Sequence, residues 1–284
     1  MNKITLTYCP SNIEKNRICG HTFEVMDYFL LLYDLNYSVN ILIQEKINKQ
    51  VIFDAWEDKY DLPKDYKKFI NFKPNTKIIL ADTLIITSGL NENYLNKVKV
   101  ISKKLILFRC NPSINYSNII DNKKVFLLND MRVYKDNIGD HYIKKIYFKR
   151  FKKLNKIDKK NNKTLIYINS NLRKLETIKE DKNMLYVSGT DHNFGSFVLQ
   201  APIKKLFDKF DTFLYTRTTR QFDCSPRLIT ECYYYNKKIE FDFNFKEYCG
   251  PDYGDTGLYW RMYDINTDFD KVFLTEEDEV LNYI

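Results

Sequence analysis

Closely spaced cysteines are missing from this 284-residue chain: Cys9, Cys19, Cys110, Cys224, Cys232 and Cys249 lie far apart and include no CxxC. Such spacing argues against a zinc site and against a disulfide scaffold, so free and mostly buried thiols are expected. Also missing is any apolar run near the ~20 residues that cross a bilayer. The opening MNKITLTYCP enters an alternating, strand-like pattern without the apolar stretch of a secretory signal. A soluble, cytoplasmic protein with no membrane span is the expectation. Glycine (8) and proline (7) are scarce beside abundant Asn, Lys, Ile and Tyr, a bias that suits an AT-rich genome as well as any physical demand. No repeat at a solenoid period and no long low-complexity tract is found.

What is present is charge and length. The net charge of +8 implies an anionic partner, for which nucleic acid and nucleotide phosphates both qualify. The length exceeds one ordinary core, which favours two domains.

Strand-like segments at Lys3–Tyr8, Tyr37–Gln44, Lys77–Leu80, Leu84–Thr87, Lys104–Phe108 and Val125–Leu128 surround an amphipathic helix from Thr22 to Asp34. From Lys144 to Lys163 the chain turns strongly basic and ends in an Asn-Lys cluster, the composition of a linker or solvated surface segment. Strand patterns resume at Thr164, Met184, Thr212 and Lys237. The resulting expectation is an α/β chain with Rossmann-like domains at 1–158 and 159–284.

Asp211 to Phe241 is the most informative stretch. A strand gives way to a polar loop, and Ser225-Pro226 supply an N-cap and first-turn proline for a helix. Arg227 then falls in the first turn with Glu231 four residues on, a cation where the helix dipole disfavours one. Two readings stay open: a phosphate bound at the helix start with Glu231 on a ribose, or an ordinary surface Arg–Glu pair. Arg173 and Lys174 after the Thr164 strand are either phosphate ligands or a solvated first turn. Asp130 and Arg132, past the Val125 strand, are either a general base with a phosphate contact or an internal pair.

The segment DCSPRLITECYYYNKKIEF, Asp223 to Phe241, resembles the last α/β unit of the two-Rossmann, or GT-B, glycosyltransferases. The likeness is greatest to bacteriophage enzymes that glucosylate hydroxymethylated DNA bases. TLIYINSNLRK resembles the opening of that family's C-terminal domain, and NDMR its strand-end Asp-x-Arg. The resemblance implies two Rossmann-like domains facing each other across a cleft and transfer of a sugar from a donor such as UDP-glucose to 5-hydroxymethylcytosine in double-stranded DNA. It implies Asp130 as catalytic base, with His21 second. Gly20, Asn169, Ser170, Arg173, Gly189, Thr190, Ser225, Arg227 and Glu231 would line the donor site. Arg132, Lys149, Arg150, Lys152 and Lys153 would meet DNA, and a viral protein would work in the host cytoplasm. No tightly bound cofactor or obligatory metal is expected, although Asp252 and Asp255 share a glycine-rich loop. A glycan or lipid-linked acceptor, and a catalytically inert nucleic-acid-binding protein, remain the alternatives.

Overall fold

The computed structural model describes residues 3–7, 18, 20–44, 48–73, 76–87, 98–109, 125–129, 139–142, 145–154, 161–168, 181–188, 192–194, 197–199, 205–215, 227–241 and 272–284. Two parallel sheets organise them. The first contains β1 (Lys3–Thr7), β2 (Ser38–Ile43), β3 (Ile70–Phe72), β4 (Ile78–Ile86), β5 (Lys99–Arg109), β6 (Val125–Asn129) and β7 (Asp140–His141). Its order is β3-β2-β1-β4-β5-β6-β7, with every neighbouring pair parallel. The second joins β8 (Thr164–Ile168), β9 (Met184–Ser188), β12 (Thr212–Tyr215) and β13 (Lys238–Phe241) in the order β13-β12-β8-β9, again parallel. β10 (His192–Phe194) and β11 (Phe197–Leu199) form a separate antiparallel pair. In each parallel sheet the strand order reverses direction once, beside β1 and beside β8, an arrangement compatible with a Rossmann-like fold.

β1 is covered on both faces, since Ile4 and Leu6 alternate with the equally buried Thr5 and Thr7. Ile4 and Leu6 join α1 (Gly20–Asp34) and α2 (Lys49–Lys59) in the largest core, while Leu42, Leu84, Ile86, Leu105 and Leu107 build a second one. The second sheet packs Leu165, Val187 and Phe213 on Ile229 and Cys232 of α3 (Arg227–Tyr234). Cys232 is a free, buried thiol.

The scarcity of glycine shows in how helices stop. Asn36 (φ 61°) and Asn236 (φ 54°) take the left-handed conformation after α1 and α3. The next N–H then reaches back five residues, from Tyr37 to Leu32 O and from Lys237 to Cys232 O. Asparagine is the residue besides glycine that tolerates this cap.

The basic stretch after β7 departs from its expected role as a solvated linker. Tyr147, Phe148 and Phe151 are buried, and Phe148 stacks on Tyr234 of α3 with ring centroids 4.2 Å apart. Apolar and aromatic residues alternate there with cations, and burying the rings outweighs the count of charges. The 272–284 segment also returns to the first core. Leu274 and Val280 pack there, and the buried Asp278 accepts hydrogen bonds from Tyr142 (2.8 Å) and Lys145 (2.6 Å). No described helix is long and apolar enough to cross a membrane.

Candidate functional site

α1 is apolar along most of its length yet carries Asp27 in its middle, fully buried. A carboxylate there requires donors. Arg227, at the start of α3, supplies them: Nη1 donates to Asp27 Oδ2, and Nη2 to Oδ1 at 3.3 Å. The Tyr60 hydroxyl donates to Oδ1 at 2.9 Å and accepts from Arg227 Nη2 at 2.9 Å, while Tyr147 N–H reaches Oδ1 at 3.3 Å. On its other side Arg227 Nε donates to Glu231 Oε1 at 2.5 Å, and Glu231 also accepts two bonds from Lys59 Nζ at 2.6 and 2.7 Å. Phe23 and Phe151 cover the cluster, with Lys59 Nζ 3.8 Å from the Phe23 ring centre and Arg227 Cζ within 6 Å of both rings.

Two cations and two anions are thus buried together where α1 and α2 of the first sheet meet α3 of the second. Burial drives the Asp27 carboxyl above its ordinary range against the pull of Arg227. Burial pushes Glu231 up as well, but Lys59 and Arg227 together outweigh it and hold its carboxyl low. Burial lowers the Lys59 ammonium despite Glu231.

In this geometry Arg227 and Glu231, which the resemblance puts on a phosphate and a ribose, are engaged by groups of the protein itself. Four hydrogen bonds from the guanidinium go to Asp27, Glu231 and Tyr60, and both Glu231 oxygens are occupied. The awkward cation in the first turn of α3 is stabilised by carboxylates of the protein itself. Sequence spacing identified the Arg227–Glu231 pair and missed Asp27, Lys59 and Tyr60. Asp27 did leave a signal, a lone acid amid Val25, Met26, Tyr28 and Phe29 that has to find a buried partner.

Three of the five cations expected on DNA are also engaged. Arg150 grips Asp34 through Nη2 and through Nε at 3.0 Å, Lys149 pairs with Glu276, and Lys152 Nζ donates to the Glu57 carbonyl. Lys149, Lys152 and Lys153 are exposed, whereas Arg150 is half-buried. His21, in the first turn of α1, lies with Nδ1 2.9 Å from Glu24 Oε2, and the space beside Gly20 is open. Asp130, Arg132, Asn169, Ser170, Arg173, Gly189, Thr190, Ser225, Asp252 and Asp255 lie outside the described residues.

Acid stability follows from the paired carboxylates. Burial raises Asp34, but Arg150 and Tyr147 leave its pKa below the ordinary value; the Lys67 bond lowers Glu57, and Glu231 is low for the reason above. A depressed folded pKa stabilises fully above the unfolded value, and that stabilisation is lost as pH falls through the folded one. Asp27, being raised, acts in the opposite sense, since acid relieves the cost of its buried charge. Asp65 and Asp82 are lowered too, by Lys68 and Lys103, so five described carboxylates against one predict a thermal midpoint that falls below roughly pH 4, the ordinary carboxylate range. Asp34→Asn should make that fall shallower in midpoints measured between pH 3 and 6; parallel curves would contradict the assignment.

Compared with models of known families, with curated proteins and with solved structures, the chain matches none.

Proposed function

We propose that this protein is a nucleotide-sugar-dependent glycosyltransferase of the two-Rossmann type acting on a hydroxymethylated base in double-stranded DNA. One observation carries the reading: the candidate residues follow directly on the carboxyl ends of parallel strands. β6 ends at Asn129 before Asp130, β8 at Ile168 before Asn169 and Ser170, and β9 at Ser188 before Gly189 and Thr190. Ligands of open α/β sheets bind outside those ends, near the point where strand order reverses. The resemblance of the Thr164 and Asp223 segments to the GT-B glycosyltransferases, together with the net positive charge, supports a phosphorylated donor and a polyanionic acceptor.

In this reading Asn169, Ser170, Arg173, Gly189, Thr190 and Ser225 hold the donor, while Arg227 and Glu231 fix α3 against α1. Asp130 removes the proton of the acceptor hydroxyl as its oxygen bonds to the anomeric carbon, and the bond from that carbon to the diphosphate breaks. The base leaves the helical stack to present its hydroxymethyl group. Arg132 contacts the acceptor phosphates. Lys149, Lys152 and Lys153 are exposed cations that serve the DNA backbone, because surface pairs such as Lys149–Glu276 are weak enough to exchange for phosphate.

The test is release of UDP from UDP-glucose with hydroxymethylcytosine duplex, unmodified duplex or no DNA. Release should depend on the modified duplex, and Asp130→Ala should reduce it to about a hundredth or less while DNA retention persists. Release indifferent to modified DNA would favour a glycan or lipid-linked acceptor. DNA binding without donor affinity would leave a non-catalytic nucleic-acid-binding protein.

A further inference from the structure

The described residues expose four large apolar side chains, and all four lie at the amino end of the first sheet. Ile78 (52% exposed) and Leu80 (69%) belong to β4, Ile101 (47%) belongs to β5, and Tyr37 (40%) directly precedes β2. Apolar side chains scattered singly over a surface need no explanation, whereas a group of them in one place marks an interaction site.

Strand register brings three of them together. β1 meets β4 only from Thr83, opposite Ile4, and β6 meets β5 only from Leu105, opposite Val125. Residues 78–82 and 99–103 therefore project beyond β1 and β6 as a two-stranded ribbon, about 16 Å long at roughly 3.3 Å per residue. Leu80 pairs with Ile101 and Ile78 with Lys99, so these four side chains share one face of the ribbon. Ile79, of opposite phase, is buried in the second core. One face of the ribbon is thus held by the core, and the other presents aliphatic side chains to solvent.

The charges select the partner. Lys3, Lys77, Lys99 and Lys103 are exposed at this end, and the ribbon's carboxylate, Asp82, is paired with Lys103 at 2.8 Å. A pair so exposed is weak and exchanges readily for another anion. A second copy of the chain would set lysine against lysine. Other protein partners match poorly, because protein interfaces are depleted in lysine and take roughly 20–30 residues a side. Aliphatic tips flanked by lysines, with a tyrosine nearby, suit an anionic bilayer. The tips enter the acyl boundary, the ammonium groups stay with the headgroup phosphates, and the tyrosine ring sits at headgroup level.

We propose that the amino end of the first sheet docks on an anionic lipid surface, with Ile78, Leu80 and Ile101 inserted and Lys3, Lys77 and Lys99 on headgroup phosphates. The residues assigned to sugar transfer follow the opposite, carboxyl ends of strands, and the docking surface does not rest on that assignment.

Co-sedimentation of the full chain with vesicles tests it, using phosphatidylcholine alone or mixed equally with phosphatidylglycerol. The protein should partition onto the mixed vesicles and not onto phosphatidylcholine. Leu80→Ser combined with Ile101→Ser should weaken that partition about tenfold or more while leaving the thermal midpoint unchanged, since both side chains are exposed. Lys77→Gln and Lys99→Gln should each weaken it about fivefold. Lys163→Gln and Lys209→Gln, which remove the same charge from exposed positions beside the second sheet, should not. Leu80→Trp reports insertion directly, its emission moving to shorter wavelength on the mixed vesicles. The proposal is overturned if the chain stays off the mixed vesicles, if the serine pair binds as the parent does, or if all four lysines matter equally. It is likewise overturned if the serine pair dissolves a dimer in sedimentation velocity and leaves vesicle binding intact, which would make the ribbon a contact between copies.

Discussion

Arg227→Ala is expected to cost about 3–5 kcal/mol of folding free energy, the size found when one partner of a buried ion pair is removed. That is a large part of the roughly 5–15 kcal/mol that keeps a protein folded. Most of the loss comes from Asp27. Glu231 keeps both Lys59 bonds, but Asp27, with no solvent exposure, is left with the Tyr60 hydroxyl and a long bond from Tyr147 N–H. Urea denaturation followed by tryptophan fluorescence measures the change. Asp27→Leu combined with Arg227→Met should recover much of it, because replacing both charges with apolar groups removes the desolvation cost as well as the attraction. A loss below about 1 kcal/mol, the range of an exposed pair, would show instead that the guanidinium is available to a ligand, and the phosphate role would return.

Much of the fold was legible because strand and helix periods dominate its centre. β1, α1, β2, β6 and the four strands of the second sheet fall close to where apolar patterning puts them. Where patterning failed, the cause is specific. Lys77–Leu80 and Leu84–Thr87 read as two strands but form the single strand β4, since Asp82 stays at a polar position, paired with Lys103 and the Lys3 N–H. α2 was not recognised because KQVIFDAWEDK mixes charges with only Ile52, Ala55 and Trp56 as buried positions. The basic stretch misled for the opposite reason: amid its lysines and arginine, Tyr147, Phe148 and Phe151 read as a surface for the duplex backbone but belong to the core.

The site was less legible than the fold. Spacing along the chain links residues within one turn, so it exposed Arg227 and Glu231 and hid Asp27, 200 residues away. A cation in the first turn of a helix requires an anion. The anion in this structure is a carboxylate of another helix. In the proposed reading the donor site at the strand ends therefore relies on residues after β8 and β9 more than on α3.

Trp56→Ala should be nearly as damaging, at about 3–5 kcal/mol, because a fully buried indole leaves a cavity that the helices around it fill only in part. The consequence reaches beyond α2. Trp56 Nε1 donates to the Thr22 carbonyl at 2.8 Å and thereby ties α2 to the first turn of α1, beside Gly20 and His21. Trp56→Phe separates the two contributions, since it retains most of the ring volume while removing the donor. Its cost should be nearer the 1–3 kcal/mol of an unsatisfied buried group plus a small void. Amide hydrogen exchange should then accelerate locally in the first turn of α1 in Trp56→Phe, and across the first core in Trp56→Ala. Equal effects of the two variants would mean that the hydrogen bond, rather than the packing, anchors that turn.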